Sequence, residues 1–280
     1  MKKPGLVLVG TPIGNLDDIS FRAIKELQGA DAICCEDTRR TGKLLAHLQC
    51  SPRPPLIVVN EHTEKQQCEI VISKIQNGSR LVMVTDAGMP AISDPGEFIV
   101  SQVAQAGLSI EVVPGPSAGI AALVGSGIPS RRYFFEGFLP RKGAERTNRL
   151  QELARSSHTV VLFESPRRIS KTLKDLSEYL GENRRAAIAR ELTKIHEEYL
   201  RGTLGQLAQS LSAKEVRGEI VIILEGSNQK ELMSTEEILS ALNEAKKHGL
   251  STRDAVREVA SVSGISKKQV YELYLSSTRN

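Results

Sequence analysis

The sequence predicts an α/β protein: two α/β domains followed by a small all-helical C-terminal domain. Three observations carry this. Short apolar runs of strand character alternate with segments of helical spacing as far as Leu224, the order expected of parallel α/β layers. At 280 residues the chain is long enough for two domains and an appendage. From Ser234 onward the spacing is helical throughout. The expected domains are 1–115, 116–230 and 234–280, with the first boundary close to Pro114–Ser117.

Composition narrows the class. Apolar residues make up 40% and charged residues 25%, ordinary for a globular protein, and with no Trp the cores must be aliphatic. No stretch approaches the roughly 20 apolar residues that span a bilayer, so no membrane role is expected. The basic start, Met1-Lys2-Lys3, precedes an apolar run of only four residues that ends at Gly10, which reads as a first strand and not as a secretion signal. Cys34, Cys35, Cys50 and Cys68 contain no pair with the two-residue gap of zinc ligation. They read as reduced thiols of a cytoplasmic protein, with no metal expected. A net charge of +4 permits a nucleic-acid partner without demanding one.

In chain order, Leu6–Val9 is the first strand and runs into Gly10-Thr11-Pro12-Ile13-Gly14-Asn15. Asp17 and Asp18 are expected to cap a helix through Leu27. The turn lacks both the G-x-G-x-x-G spacing and the Gly-Lys-Ser/Thr ending of phosphate loops. Ala32–Cys35 is a second strand ending in the charged string Glu36-Asp37-Thr38-Arg39-Arg40, where Asp37 or Thr38 can cap the next helix. Leu56–Val59 is a third strand, and 64–76 a helix. Leu81–Val84 is a fourth strand, leading to Thr85-Asp86-Ala87-Gly88-Met89-Pro90-Ala91-Ile92-Ser93-Asp94-Pro95-Gly96. Asp94 and Pro95 suit the cap and first turn of the helix beginning at Glu97. Ile110–Val113 is a fifth strand, meeting Pro114-Gly115-Pro116-Ser117-Ala118, where Ser117 can cap a small-residue helix. One Gly/Pro turn is punctuation. Three, each at the carboxyl end of a strand, point to a shared pocket, because ligands of open α/β sheets bind there. Beyond them come aromatic Tyr133–Phe138, a strand at Thr159–Glu164, a helix opening at Ser165-Pro166-Arg167-Arg168, a strand at Ala186–Ala189, and closing strands near 197–201 and 218–224 with antiparallel character at 198–203. The tail reads as helices from Ser234 to about His248, 251–261 and 266–275, joined by Ser263-Gly264-Ile265 in helix-turn-helix form.

Taken together, Gly10–Leu16, Glu36–Arg39, Asp86–Gly96, Pro114–Ala118, Gly137–Pro140, Glu164–Arg168 and Arg190–Lys194 resemble the ribosomal RNA small subunit methyltransferase I family, cytidine 2′-O-methyltransferases of the tetrapyrrole methylase superfamily. The resemblance spans nearly the whole chain. It implies two α/β domains of the tetrapyrrole methylase type with S-adenosyl-L-methionine in the cleft between them, a homodimer, and a cytidine in the decoding region of 16S ribosomal RNA as target. The family's cofactor positions fall on Pro12, Asp86, Met89, Ser117, Ala118, Phe163, Ala189 and Gly218. The strand-end turns independently suggest the first five of these and give no reason for Ala189 or Gly218.

Methyl transfer to a hydroxyl relies on alignment and on a group that takes the hydroxyl proton. Glu36, Asp37, Arg39 and Glu164 are the candidates for that work, with Glu61 and Arg167 beside them, and spacing does not choose among them. RNA is held through its phosphates and by base stacking. Arg141, Lys142, Arg167, Arg168, Arg253, Lys267 and Lys268 are the expected contacts, with Arg131, Arg132, Arg146 and Arg149 nearby and Phe134, Phe135 or Phe138 available to stack. Two other readings stay open: a methylase of the same fold acting on a tetrapyrrole or other small molecule, and a non-enzymatic RNA-binding or ribosome-assembly protein.

Overall fold

The computed structural model describes residues 3–212, 216–227, 235–263 and 266–277. Strands β1 (Gly5–Val9), β2 (Ala32–Cys35), β3 (Leu56–Val58), β4 (Arg80–Met83) and β5 (Ile110–Val113) form one sheet in the order β3-β2-β4-β1-β5, every pair parallel. Side chains alternate across a strand, and here both alternations are buried. Leu6, Leu8, Cys34, Leu81 and Met83 pack with α3 (Glu64–Gln76) and α4 (Glu97–Gln105). Val7, Val9, Ile33, Cys35 and Val82 pack with α1 (Phe21–Gln28) and α2 (Thr38–His47) on the other face. Double coverage explains why these strands read as unbroken apolar runs.

Two helix starts differ from expectation. Asn15 Oδ1 accepts from Asp17 N at 3.1 Å, so Leu16–Asp18 closes as a short 3₁₀ turn; Ser20 then caps α1 by accepting from Ala23 N at 3.1 Å. At α4 the cap position is Gly96 (φ 125°), not Asp94. The helix's free amides are taken by Glu64 of α3, whose Oε1 accepts from Gly96 N at 3.0 Å and Ile99 N at 3.2 Å.

The second sheet comprises β6 (Tyr133–Phe138), β7 (Thr159–Glu164), β8 (Arg185–Arg190), β9 (Glu198–Thr203) and β10 (Ile220–Leu224), ordered β6-β7-β10-β8-β9. Only β6 and β7 run parallel; the other three pairs are antiparallel. The antiparallel character expected at 198–203 is present and extends to β7, β8 and β10, where alternation alone suggested parallel layers. The connection from β8 to β9 is too short for a crossover, which takes a dozen residues or more, so those strands must turn back on one another. One face carries α5 (Ala118–Ser126), and the other carries α6 (Ala144–Arg155), α7 (Ile169–Leu180) and α8 (Leu204–Leu211). Each domain also contains one buried arginine that ties elements together. Arg80, 7% exposed, bonds to Glu26 and Glu111. Arg146, expected near RNA, is equally buried and held by Asp175, Thr172 Oγ1 and Pro140 O.

Helices α9 (Thr235–Lys247), α10 (Thr252–Ser263) and α11 (Lys267–Ser277) close on a small core of their own, with Ile238, Leu242, Ala255, Val256, Val259 and Val270. The expected cap at Ser234 and the turn residues Gly264 and Ile265 lie outside the described residues, as do Met1 and Lys2. No helix among the described residues is long and apolar enough to cross a membrane.

Candidate functional site

The carboxyl ends of β1, β4 and β5 are pressed together by glycine. A Cβ on Gly10 would fall 2.7 Å from both Gly115 Cα and Met89 Sδ, so only a bare backbone fits there. Thr11 and Gly88 exchange backbone hydrogen bonds (Thr11 N to Gly88 O 2.9 Å, Gly88 N to Thr11 O 3.1 Å), and Thr11 Oγ1 donates to Thr85 O at 3.2 Å. The three turns thus converge on one crevice facing the second sheet. Its cavity has a volume of about 420 Å³. The first domain contributes Ile13, Glu36, Arg40, the stretch 85–89 and 92–94. The second contributes Ser117, Ala118, Phe138, the stretch 163–166, Leu192 and 218–221.

Of the cofactor positions the resemblance implied, Asp86, Met89, Ser117, Ala118, Phe163 and Gly218 line the cavity. Pro12 does not: it is buried behind the Thr11–Gly88 bridge, and Ile13 takes the wall. Ala189 does not either. It is 1% exposed at the penultimate position of β8, paired with Val221 and Tyr199 in the sheet and packed in the cluster that includes Ala122 and Leu123 of α5.

The catalytic candidates separate in the same way. Glu36 lines the cavity. Asp37 and Arg39 are spent on each other and on α2: Asp37 Oδ1 accepts from Arg39 N at 2.8 Å and Oδ2 from Arg39 Nη2 at 2.7 Å, and the Arg39 side chain is 86% exposed. Arg39 and α2's first-turn amides hold the Asp37 carboxyl well below the usual carboxylate range. It is Arg40, one residue further on, that faces the cavity, 3.4 Å from Asp86 Oδ2. Glu164 sits at the cavity wall but is 1% exposed and bonded through both oxygens. Its Oε1 accepts from Ser165 N at 2.7 Å and Arg168 Nε at 3.2 Å, and its Oε2 from Thr172 Oγ1 at 2.6 Å. Glu164 therefore ties down the first turn of α7, buried and bonded to Ser165, Arg168 and Thr172 rather than turned to a substrate hydroxyl.

Three carboxylates remain at the first-domain wall, all with raised proton affinity. Burial pushes Glu36 up, reinforced by Asp86 and Asp94. Burial likewise raises Asp86 against the pull of Arg40, and raises Asp94 despite the nearby Thr85 hydroxyl. Asp86 Oδ1 is buried with no hydrogen-bond partner among the described residues, a state that a donor on a bound molecule would relieve. Phe138 and Phe135 meet Phe163 edge-on, with centroids 5.7 and 5.1 Å away, and Phe138 stays 53% exposed at the rim.

Among the basic residues, Arg141, Lys142 and Arg167 are exposed on turns of the second domain, and Arg253, Lys267 and Lys268 are exposed on α10 and α11. Arg168 is committed to Glu164 and to Leu139 O at 2.6 Å. Among the described residues no group of three or more His, Cys, Asp or Glu side chains is placed to hold a metal ion. Sequence reasoning missed Ile13, Arg40, Ile92 and Leu192. Each lies in a stretch the sequence singles out, but an apolar residue or the last charge of a string carries no local sign that it faces a cavity.

Comparison with known proteins is consistent with this geometry. Residues 5–208 match the model of the tetrapyrrole (corrin/porphyrin) methylases, and residues 233–278 match the RsmI C-terminal HTH domain. A ribosomal RNA small subunit methyltransferase I from Synechocystis is 39% identical, over 96% of this chain and 97% of its own. One from Mycobacterium bovis is 40% identical over 100% and 97%. One from Thermotoga maritima is 42% identical, with 98% of it matched to 79% of this chain. Among solved structures, uroporphyrin-III C-methyltransferase from Thermus thermophilus complexed with S-adenosyl homocysteine has a TM-score of 0.55 at 20% identity, covering 79% of this chain and 97% of its own. Diphthine synthase has a TM-score of 0.60 at 13% identity, covering 79% and 89%. At such identities these two establish the fold alone.

Proposed function

The chain belongs to the tetrapyrrole methylase family and, within it, to the ribosomal RNA small subunit methyltransferase I group, and we propose on that premise that it moves a methyl group from S-adenosyl-L-methionine to the ribose 2′-oxygen of a cytidine in the decoding region of 16S ribosomal RNA. The observation that carries the reading is the crevice itself: six of the eight cofactor positions implied by the family line a single cavity, and one of them, Asp86, keeps a buried acceptor open. S-adenosylmethionine supplies an electrophilic methyl on a sulfonium. The pocket suits such a group, because it pairs apolar walls (Ile13, Met89, Ile92, Leu192, Val221) with a few fixed acceptors.

The chain's own residues divide the work. Asp86, Met89, Ser117, Ala118, Phe163 and Gly218 hold the cofactor. Arg40 offsets the Asp86 charge, so that the wall is not over-tuned to a cation. Glu36 takes the proton of the 2′-hydroxyl; its raised proton affinity brings it nearer the working pH than an ordinary carboxylate, which favours base catalysis. The base must be ionised, so the rate rises with pH through the raised Glu36 value. Phe138 offers a face for the splayed base. Arg141, Lys142 and Arg167 take phosphates near the cleft, and Arg253, Lys267 and Lys268 do so from the helical unit. Exposed Phe21, Val112, Ile120 and Val124 on α1, edge strand β5 and α5 support a homodimer, and four free buried cysteines suit the cytoplasm.

The test is transfer of labelled methyl to unmethylated small subunits, run beside a tetrapyrrole precursor, with cofactor binding followed by calorimetry. Labelled subunit RNA that yields 2′-O-methylcytidine on digestion is the expected result. Transfer to the tetrapyrrole alone, or no cofactor binding, overturns it. Removing 234–280 should weaken subunit binding and leave cofactor affinity unchanged.

A further inference from the structure

Segment 191–194 carries backbone strain that the reaction as described leaves unused. Glu191 and Thr193 are both left-handed, with φ 51° and 61°, a conformation that a residue with a Cβ keeps only where its surroundings impose it. The imposing groups are identifiable. Glu191 Oε1 accepts from Lys194 Nζ at 2.8 Å and from Glu219 N at 3.0 Å, and Lys194 Nζ reaches on to Glu219 Oε2 at 3.0 Å. Thr193 N donates to Glu197 Oε2 at 2.6 Å. Gly218 (φ 92°) makes room for this, since any Cβ there would collide with the Glu191 carboxylate. The residue between the two strained ones, Leu192, lines the cavity. Thr193 Oγ1 then reaches across the crevice and accepts from Asn15 N at 3.0 Å, beside Gly14, where a Cβ would meet that same oxygen at 2.6 Å. Ile13, two residues before Asn15, lines the cavity from the opposite side.

We propose that Glu191 is a positioning residue for the cofactor. Through Lys194 and the Glu219 amide it holds the strained segment so that Leu192 walls the cavity and Thr193 hooks the second domain onto the first-domain turn 13–15. This rests on the reading that the crevice holds S-adenosylmethionine. Glu191 contacts no reacting atom, so its loss acts on how well the cavity is closed and not on the methyl-transfer step.

The experiment uses the full chain as wild type, Glu191→Ala, Glu191→Gln and Thr193→Val. Three readouts are taken: calorimetric affinity for S-adenosylmethionine, kcat and KM with small subunits, and hydrogen exchange of the Asn15 amide without ligand. Glu191→Ala is expected to weaken cofactor binding roughly tenfold, equivalent to losing one charged hydrogen bond. That loss should appear in KM for the cofactor with kcat held. Glu191→Gln keeps an acceptor at Oε1 and should recover most of it, whereas a merely structural role would move melting temperature and kcat together. Thr193→Val, which retains Glu191, should lose Asn15 protection to the same degree and keeps the proposal testable if Glu191→Ala does not fold. Unchanged cofactor affinity in Glu191→Ala, or undiminished Asn15 protection in both Glu191→Ala and Thr193→Val, overturns the inference while the functional reading stands. A wild type that ignores the cofactor sinks that reading instead, and the hook is then judged on Asn15 exchange alone.

Discussion

The two walls of the crevice use the same local conformation and hold it by different forces. In loop 85–96, Ala91 and Ser93 are left-handed at φ 65° and 59°; in segment 191–194, Glu191 and Thr193 are left-handed at φ 51° and 61°. Each pair brackets one apolar residue, Ile92 or Leu192, that lines the cavity. The first wall is held mainly by main chain: Ala91 N donates to Pro95 O at 3.3 Å, Thr11 and Gly88 are bridged, Gly10 abuts Gly115, and Glu64 gathers the amides of Gly96 and Ile99. The second is held by the charged set Glu191, Lys194, Glu197 and Glu219. The backbone bonds that shape the first wall do not titrate, whereas the partly exposed ion pairs that shape the second do and are screened by salt. The difference also divides function, because the carboxylates of raised proton affinity, Glu36, Asp86 and Asp94, all sit on the first wall.

The largest expected effect comes from breaking the first wall where it is tightest. Gly10→Val drives a branched side chain into Gly115 and Met89, and should cost about 3 kcal/mol in denaturant unfolding and abolish cofactor binding. A tolerated valine, with binding intact, would mean the three turns do not need that contact. Next in size, Glu64→Ala uncaps α4 from a distance and should lower stability by about 1–2 kcal/mol without altering cofactor affinity more than slightly. Equal loss from Asp94→Ala would restore Asp94 as the cap.

The two walls should answer pH with opposite sign. Lys194 holds the Glu191 carboxyl below its ordinary value, so its ionisation stabilises the fold above the ordinary carboxylate range, and that contribution is lost as pH falls through the depressed value. Glu191→Gln should therefore be less stable than wild type by about 1 kcal/mol at neutral pH, with the gap closing in acid. Glu36 is raised, so the folded state binds its proton more tightly than the unfolded chain does. Its ionisation destabilises the fold as pH rises from the ordinary carboxylate range through the raised value. Glu36→Gln should melt slightly higher than wild type at neutral pH, with the difference vanishing in acid, while methyl transfer falls and loses its rise with pH. Thermal melts across pH 3 to 8 check both signs, and matching signs would end the distinction between the walls.

Much of the first domain was legible because its information is local. Unbroken apolar runs mean strands buried on two faces, and the spacing of 64–76 matches α3 to the residue, while Ser117 takes the N-cap position of α5 without the side-chain bond expected of it. The three turns could be read as a pocket because chain order alone puts them at the same end of parallel strands. The second domain was less legible. The aromatic run 133–138 becomes edge strand β6, with a bulge between Phe135 and Gly137 that disturbs the alternation a strand would advertise, and α6 and α8 were passed over. Single residues failed where their partners are distant or already taken. Glu64 lies 32 positions from the amide it caps. Glu164 has a catalytic residue type but is buried and bonded to Ser165, Arg168 and Thr172, and Arg39 points to solvent where Arg40 lines the cavity.

The amino-acid order by itself determined the alternation of elements, the Gly/Pro turns at the strand ends and the helical tail, since propensity, periodicity and turn chemistry act over a few residues. Which carboxylate stands free, which arginine faces the cavity and which strained segment hooks one domain to the other were decided only by tertiary structure. Those outcomes depend on burial and on partners brought together from remote parts of the chain, and no local pattern encodes the distance between them.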